Sequence, residues 1–416
     1  TPSNSSAASD VYKRQAHNVQ LLLDRLSNPA VFWLDSYICY GSCPADEEYY
    51  YMRRYLNEGW QSSQQLCQAQ NSYFLEIAFD RNNHLHRVWS APYENSTGTS
   101  KEVYYAYFNG TSWSSPIMIS PVAPEDSINP KIAIDQNNFV HIVWSEPVPA
   151  RYYDSSCNCY RDYKWEVFWR YFDGVSWSQP VNITNLAQSG SHWGASPSKL
   201  VVDNAGNLHL VINASTKHTF QVCYIYCETR TEYHNDVYYL KYDGNSWSQP
   251  VNLSDTPTPS YYIDMALDPQ GNPHIVWEEA DSWDAQEKEI YYTYFDGTSW
   301  QSPVNLSNSP ELDSSLPSLA IDSQARVHLV WSEGDFSDSK YDLFYLRKTS
   351  AGWQGPVSLN RGDCHRYIRA GAKIAVAPND ILHLVFISTD SFTGEYFNVY
   401  WSWLDLKKDI PVEQLW

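Results

Sequence analysis

Lys131-Ile-Ala-Ile-Asp135, Gln136-Asn-Asn138, Phe139-Val-His-Ile-Val-Trp144 is the stretch from which the fold can be read. Five alternating residues, three polar turn-formers and a second apolar run make a strand, a tight turn and a returning strand. The same frame recurs. Glu76-Ile-Ala-Phe-Asp80 is followed by His86 and Trp89, Asp203 by His209, Asp268 by His274 and Trp277, and Asp322 by His328 and Trp331. The His lies six residues after the Asp in every one of these copies. Two copies diverge: Ala377 stands where the Asp would precede His383, and Asp24 precedes Ala30 and then Trp33.

Outward from this frame each copy continues alike. A polar insert of variable length leads to an aromatic strand, such as Val103-Tyr-Tyr-Ala-Tyr-Phe108 or Ile290-Tyr-Tyr-Thr-Tyr-Phe295. A Gly turn follows (Asp296-Gly-Thr-Ser299), then a fourth strand, Trp300 to Leu306. Four strands per copy is the unit of a propeller blade. The anchors 24, 80, 135, 203, 268, 322 and 377 lie 54 to 68 residues apart. The expectation is an all-β, seven-bladed β-propeller of four-stranded antiparallel blades. The blades fall near 17–70, 71–122, 127–185, 195–255, 260–308, 314–360 and 368–416, in one domain over 17–416. The count is six if the Asp24 copy is not a blade. A lone blade leaves both faces bare, and stacking in a closed ring covers them.

Composition agrees. Aromatics are 16% of the 416 residues, with 33 Tyr and 18 Trp, and such side chains suit pleated, half-buried surfaces. The net charge of −20 opposes nucleic acid and anionic membrane as partners. No apolar run approaches the ~20 residues of a membrane span. Residues 1–16 fall outside the repeat and lack a signal-peptide core. They read as a disordered or non-native leader, with Ser6 to Gln15 resembling translated adapter sequence and the export signal missing.

The six regularly placed His (86, 141, 209, 274, 328, 383) suggest a metal or proton relay, but copies one blade apart cannot converge on one ion. Each is expected to hydrogen-bond within its own blade. The repeated Asp should cap the turn after it, and the Trp of the second and fourth strands should pack between blades.

The turn Asp-Gly-x-x-Trp (Asp173, Gly174, Trp177; Asp243, Gly244, Trp247; Asp296, Gly297, Trp300) resembles a shortened Asp-box, as in sialidases and other BNR-type propellers. The resemblance implies the fold. Sialidase chemistry would need an arginine triad, a Tyr nucleophile with a Glu partner, and an Asp acid. There is no Arg-Ile-Pro motif near the first blade, so no catalytic residue carries over.

What does not repeat clusters on one face. The second-to-third-strand connections are expected as long loops near Pro147 to Trp165 and Ser215 to Asn235. Cys39, Cys43, Cys157, Cys159, Cys223 and Cys227 lie in such inserts, and Cys67 and Cys364 in or beside blade-to-blade loops. All eight are disulfide candidates that would pin these loops, and their even number favours an extracellular or cell-surface setting. Tyr152, Tyr153 and Trp283 offer rings for a sugar face. Asp35, Glu146, Glu279 and Glu333 end their second strands as a broken carboxylate ring, able to hold a polar ligand or supply a glycosidase acid and base. No cofactor or dedicated metal site is predicted, though the acidic loops would accept a cation such as calcium. The leading expectation is a lectin-like or adhesive module that recognises glycan or a surface protein. The alternatives are a propeller-fold glycoside hydrolase or lyase, and a structural subunit of a surface layer.

Overall fold

The computed structural model describes residues 15–36, 48–56, 59–62, 64–69, 73–95, 98–121, 125–154, 159–186, 192–223, 227–280, 287–335, 340–359, 367–389 and 398–408. Among them there is no α-helix. The strands form antiparallel meanders in chain order. The first is Gln15–Leu23, Pro29–Ser36, Glu48–Leu56 and Gly59–Trp60, with Gln64–Ala69 also on the third strand. The next is Tyr73–Phe79, Leu85–Asn95, Gly98–Phe108 and Ile117–Met118. An eight-stranded sheet follows. Its halves, running from Ile128–Ile134 to Val181–Asn182 and from His192–Val202 to Val251–Asn252, meet at one parallel bridge between Trp165 and Gly194. Then come Ser260–Leu267 to Val304–Asn305, Asp313–Ile321 to Gly352–Ser358, and the three strands Tyr367–Val376, Ile381–Thr389 and Asn398–Asp405.

The turn that opens each frame is fixed as the sequence implies. Asp80 Oδ1 accepts the amides of Asn82 and His84, both at 2.8 Å. Asp24, Asp135, Asp203, Asp268 and Asp322 repeat this pattern. The turn's last residue takes a left-handed conformation, supplied by Asn83, Asn138, Gly206 or Gly271 in four copies and by Ser27 and Ala325 after Asp24 and Asp322. Ala377 keeps the backbone bonds of the turn without the carboxylate.

Two expectations change. The insertions near 147–165 and 215–235 are largely strand, not loop. Val140–Asp154 pairs with Cys159–Phe172, and Leu208–Cys223 pairs with Cys227–Tyr242 until Cys223 faces Cys227. Both inserts are rich in Tyr, and the second also in Thr, so the hairpins propagate where a loop would leave backbone groups unpaired. Most fourth strands are two residues long, and Trp113, Trp177, Trp247 and Trp300 before them pair by isolated bridges with Phe108, Phe172, Tyr242 and Phe295 at or just past the ends of the third strands.

The described chain divides into two compact units, residues 72–263 and residues 1–71 with 264–416. In the first, Val88, Val103 and Tyr105 of one meander pack on Ile132, Ile142 and Trp144 of the next. Trp177 meets Tyr105 edge-on at 5.1 Å, and Trp247 meets Trp169 at 5.8 Å. In the second, Trp353 meets Tyr292 at 5.2 Å. There the first and last meanders join through Val19, Val31, Val385 and Ile387, with Trp60 edge-on to Trp401 at 5.3 Å. The repeated Trp therefore pack sheet against sheet, as the sequence implies.

Candidate functional site

The repeated polar residues are internal to their sheets. His86 Nδ1 is 2.7 Å from the Tyr105 hydroxyl, and its Nε2 faces Asp80 at 3.6 Å. His209 with Tyr239, His274 with Tyr292 and His328 with Tyr345 repeat this arrangement. Burial drives His86, His274 and His383 down to about 4, so they are neutral at pH 7. The Asp–His–Tyr chain is a structural repeat, and its Tyr was not anticipated from the sequence.

The strand-end carboxylates sit in similar settings. Glu146 Oε2 accepts Trp144 Nε1 at 2.5 Å and Ser127 Oγ at 2.9 Å. Trp277 donates to Glu279 at 2.7 Å, and Trp331 to Glu333 at 2.9 Å. All three acids are buried. A second acid faces each across the ladder: Glu166 opposite Glu146, Glu289 opposite Glu279, and Asp342 opposite Glu333. Glu166 and Glu289 accept the hydroxyls of Thr184 and Ser307, each two residues past its fourth strand. The signal for this second set was the acid directly before an aliphatic residue in the third strand: Val167, Ile290 and Leu343. Asp35 lies in the strand Pro29–Ser36 opposite Tyr49, and Tyr152 and Tyr153 lie in Val140–Asp154. Trp283, Cys39, Cys43, Cys157 and Cys364 fall outside the described residues. Cys67 pairs with Tyr50 in the ladder, and Cys159 with Asp154.

One cluster, missed from the sequence, is equipped for chemistry: Asp236, Tyr238 and Asn252 stand at repeat positions, matching Glu166, Phe168 and Asn182, while Thr216, His218 and His234 are added by this meander's longer strands. It sits in the meander His192–Val202 to Val251–Asn252, where the second and third strands run past the length of the other copies. Period-two alternation sets Thr216 and His218 on one face, with His234, Asp236 and Tyr238 beside them. His218 Nε2 is 3.1 Å from Asp236 Oδ2, and the two rings of His218 and His234 are 5.5 Å apart. Asn252 donates to the same Asp236 oxygen at 2.7 Å and reaches Tyr238 Oη at 3.4 Å. The Tyr238 hydroxyl shares a 2.9 Å bond with Thr216. Asp236 is fully enclosed, and burial raises its pKa, with Asn252 and His218 pulling against that. Burial, helped by His218, lowers His234 to about 4. The His218 side chain keeps 13% of its exposure, so the cluster has a reachable imidazole oriented by a buried carboxylate. His218, Asp236 and Asp255 also present one nitrogen and two oxygens within 4.8 Å of one another, a donor set that fits a divalent cation.

No family model and no curated protein matches the chain. Solved structures do. A polysaccharide lyase (ulvan lyase) bound to -[GlcA(1-4)Rha3S]- aligns over 93% of this chain and 93% of its own, at TM-score 0.58 and 11% identity. Polysaccharide lyase Uly1 aligns over 94% of this chain and 90% of its own, at TM-score 0.57 and 9% identity. At such identities the likeness is one of fold. The chain has the antiparallel, propeller-type architecture of these proteins.

Proposed function

We propose that this protein is an exported, glycan-active enzyme whose seven four-stranded blades close into a propeller, with its reacting centre at His218, Asp236 and Tyr238. The observation that carries the reading is the His218–Asp236 pair, with Tyr238 two residues on, in a chain whose overall fold is similar to that of polysaccharide lyases. Eliminative cleavage of a uronic-acid polysaccharide suits it best. With Nε2–H directed at Asp236, His218 keeps Nδ1 as a base for the proton alpha to a sugar carboxylate. The carbanion then expels the glycosidic oxygen. Tyr238, whose pKa burial raises, stays protonated and able to donate to that leaving oxygen. A lectin-like module would need none of this chemistry.

Hydrolysis is the second reading. Asp236 and Asp255 carry oxygens within 4.8 Å, near the ~5 Å spacing of a retaining pair.

The test is incubation with alginate, pectate, hyaluronan and ulvan. Ultraviolet absorbance from a new C4–C5 double bond marks elimination, and reducing ends without that absorbance mark hydrolysis. Elimination should fall about 10²–10⁴-fold in His218→Ala, the range for loss of a general base. Binding without cleavage of any of these glycans would return the protein to the lectin-like reading.

A further inference from the structure

The pocket lined by Asn129, Lys131, Ser198, Asn213, Tyr261 and Tyr262 has a volume of about 320 Å³. That is the low end of small-molecule sites, which run ~300–1,000 Å³. It is built from the first strands of three successive meanders, together with Asn213 from a second strand.

The backbone there is unusual in a regular way. Ladder register breaks at Tyr73/Glu76, at Ile128/Lys131 and at Ser315/Ser318. Within each break one residue turns left-handed: Phe74 at φ 55°, Asn129 at 55° and Leu316 at 56°, with Tyr262 at 45° in the corresponding position. Bulges of this kind re-aim a side chain. Because the bulge recurs, the backbone conformation belongs to the fold. The choice of residue does not. Asn tolerates this conformation and Gly suits it best, whereas a bulky ring is strained there. Two rings nevertheless occupy it: Phe74, 50% exposed in its own sheet, and Tyr262, which leaves 60% of its surface in solvent beside Tyr261 at 37% and is the one of the two that borders the pocket. A strained, exposed ring adds nothing to the core.

Its surroundings are polar and already held in place. Asn129 Nδ2 is fixed by Ser196 Oγ at 2.6 Å and the Pro197 carbonyl at 3.0 Å. Asn213 Nδ2 donates to the Ser260 carbonyl at 2.8 Å. Lys131 Nζ is 2.5 Å from Glu76, so its charge is matched inside the protein. Asn129 and Asn213 thus turn amide oxygens toward other partners, beside an open aromatic face. That combination recognises a pyranose ring, apolar C–H face on the tyrosine and hydroxyls on the amides. Asn213 lies on the strand that carries His218, five residues earlier, and by period-two alternation its side chain leaves the opposite face of the sheet.

We propose that this pocket is a second saccharide subsite, separate from the His218 cluster, with Tyr262 as the stacking platform that anchors the same glycan polymer. The proposal rests on the glycan-active reading above. Tyr262→Gly tests it without endangering the fold, because glycine adopts the left-handed backbone without strain. Tyr262→Phe keeps the ring. Retention of each variant in native gels containing alginate, pectate, hyaluronan or ulvan reads binding without turnover, and steady-state kinetics on the glycan that is cleaved read KM against kcat. Tyr262→Gly should weaken retention and raise KM about three- to tenfold with kcat unchanged, the size of one aromatic contact. Tyr262→Phe should match the wild type. If Tyr262→Gly binds and cleaves as the wild type does while His218→Ala is inactive, the subsite falls and the enzyme reading stands. A wild type that neither binds nor cleaves any of the four glycans overturns both.

Discussion

Glu146→Gln isolates one buried carboxyl whose titration the structure makes costly. Glu146 is 3% exposed, with both donors, Trp144 Nε1 and Ser127 Oγ, on one oxygen. Burial, with Glu102 adding, raises its pKa from an ordinary 4.5 to about 7 against the pull of those two hydrogen bonds. At ~1.4 kcal/mol per pH unit, that rise corresponds to about 3 kcal/mol. Between pH 4.5 and 7 the folded chain retains a proton that the unfolded chain releases, so this group makes stability fall as pH rises through that window. Below 4.5 both states are protonated and the effect vanishes. Glutamine stays neutral and keeps a carbonyl for Trp144 and Ser127. Urea unfolding of both proteins at pH 4.5 and pH 8 measures the difference between them, in which every other titrating group cancels. The variant should gain up to about 3 kcal/mol relative to the wild type on going from acid to base. A difference that is the same at both pH values would refute the reasoning.

The buried imidazoles act in the opposite sense. His86, His234, His274 and His383 are lowered from 6.5 to about 4, so the unfolded chain takes up protons first as pH falls through that window. A His86→Gln, His274→Gln variant should therefore lose less melting temperature than the wild type between pH 6.5 and 4.5; equal losses would contradict the neutral, buried imidazoles. Tyr345→Phe removes the hydroxyl 2.7 Å from His328 Nδ1 and should cost about 1–3 kcal/mol in thermal unfolding. His383 stacks on Trp401 at 5.9 Å, and neither of its ring nitrogens has a hydrogen-bond partner, so His383→Leu should cost less than 1 kcal/mol, roughly the price of an apolar swap. Gly371→Ala would place a Cβ 2.5 Å from Leu316 Cβ and should lower the unfolding midpoint by about 1–3 kcal/mol equivalent.

The sequence alone determined the strand frame, because period-two alternation and a carboxylate two and four residues before the amides it caps are both local, as is the glycine or asparagine that takes the left-handed turn position in four copies. It also settled that the repeated His, Asp and Trp serve the scaffold, since evenly spaced copies cannot meet. Only tertiary structure decided the rest. Whether 215–235 is loop or hairpin depends on cross-strand partners, and the outcome aligns His218 with His234 and Asp236, residues 16 and 18 positions apart with no shared motif. Glu146, Glu279 and Glu333 looked like a rim available to ligand until the indole nitrogens two residues back were seen to occupy them. Tyr262 reads as one more strand tyrosine. Its exposure follows from a bulge, and a bulge is a mismatch in register between two strands, which neither strand's own sequence contains.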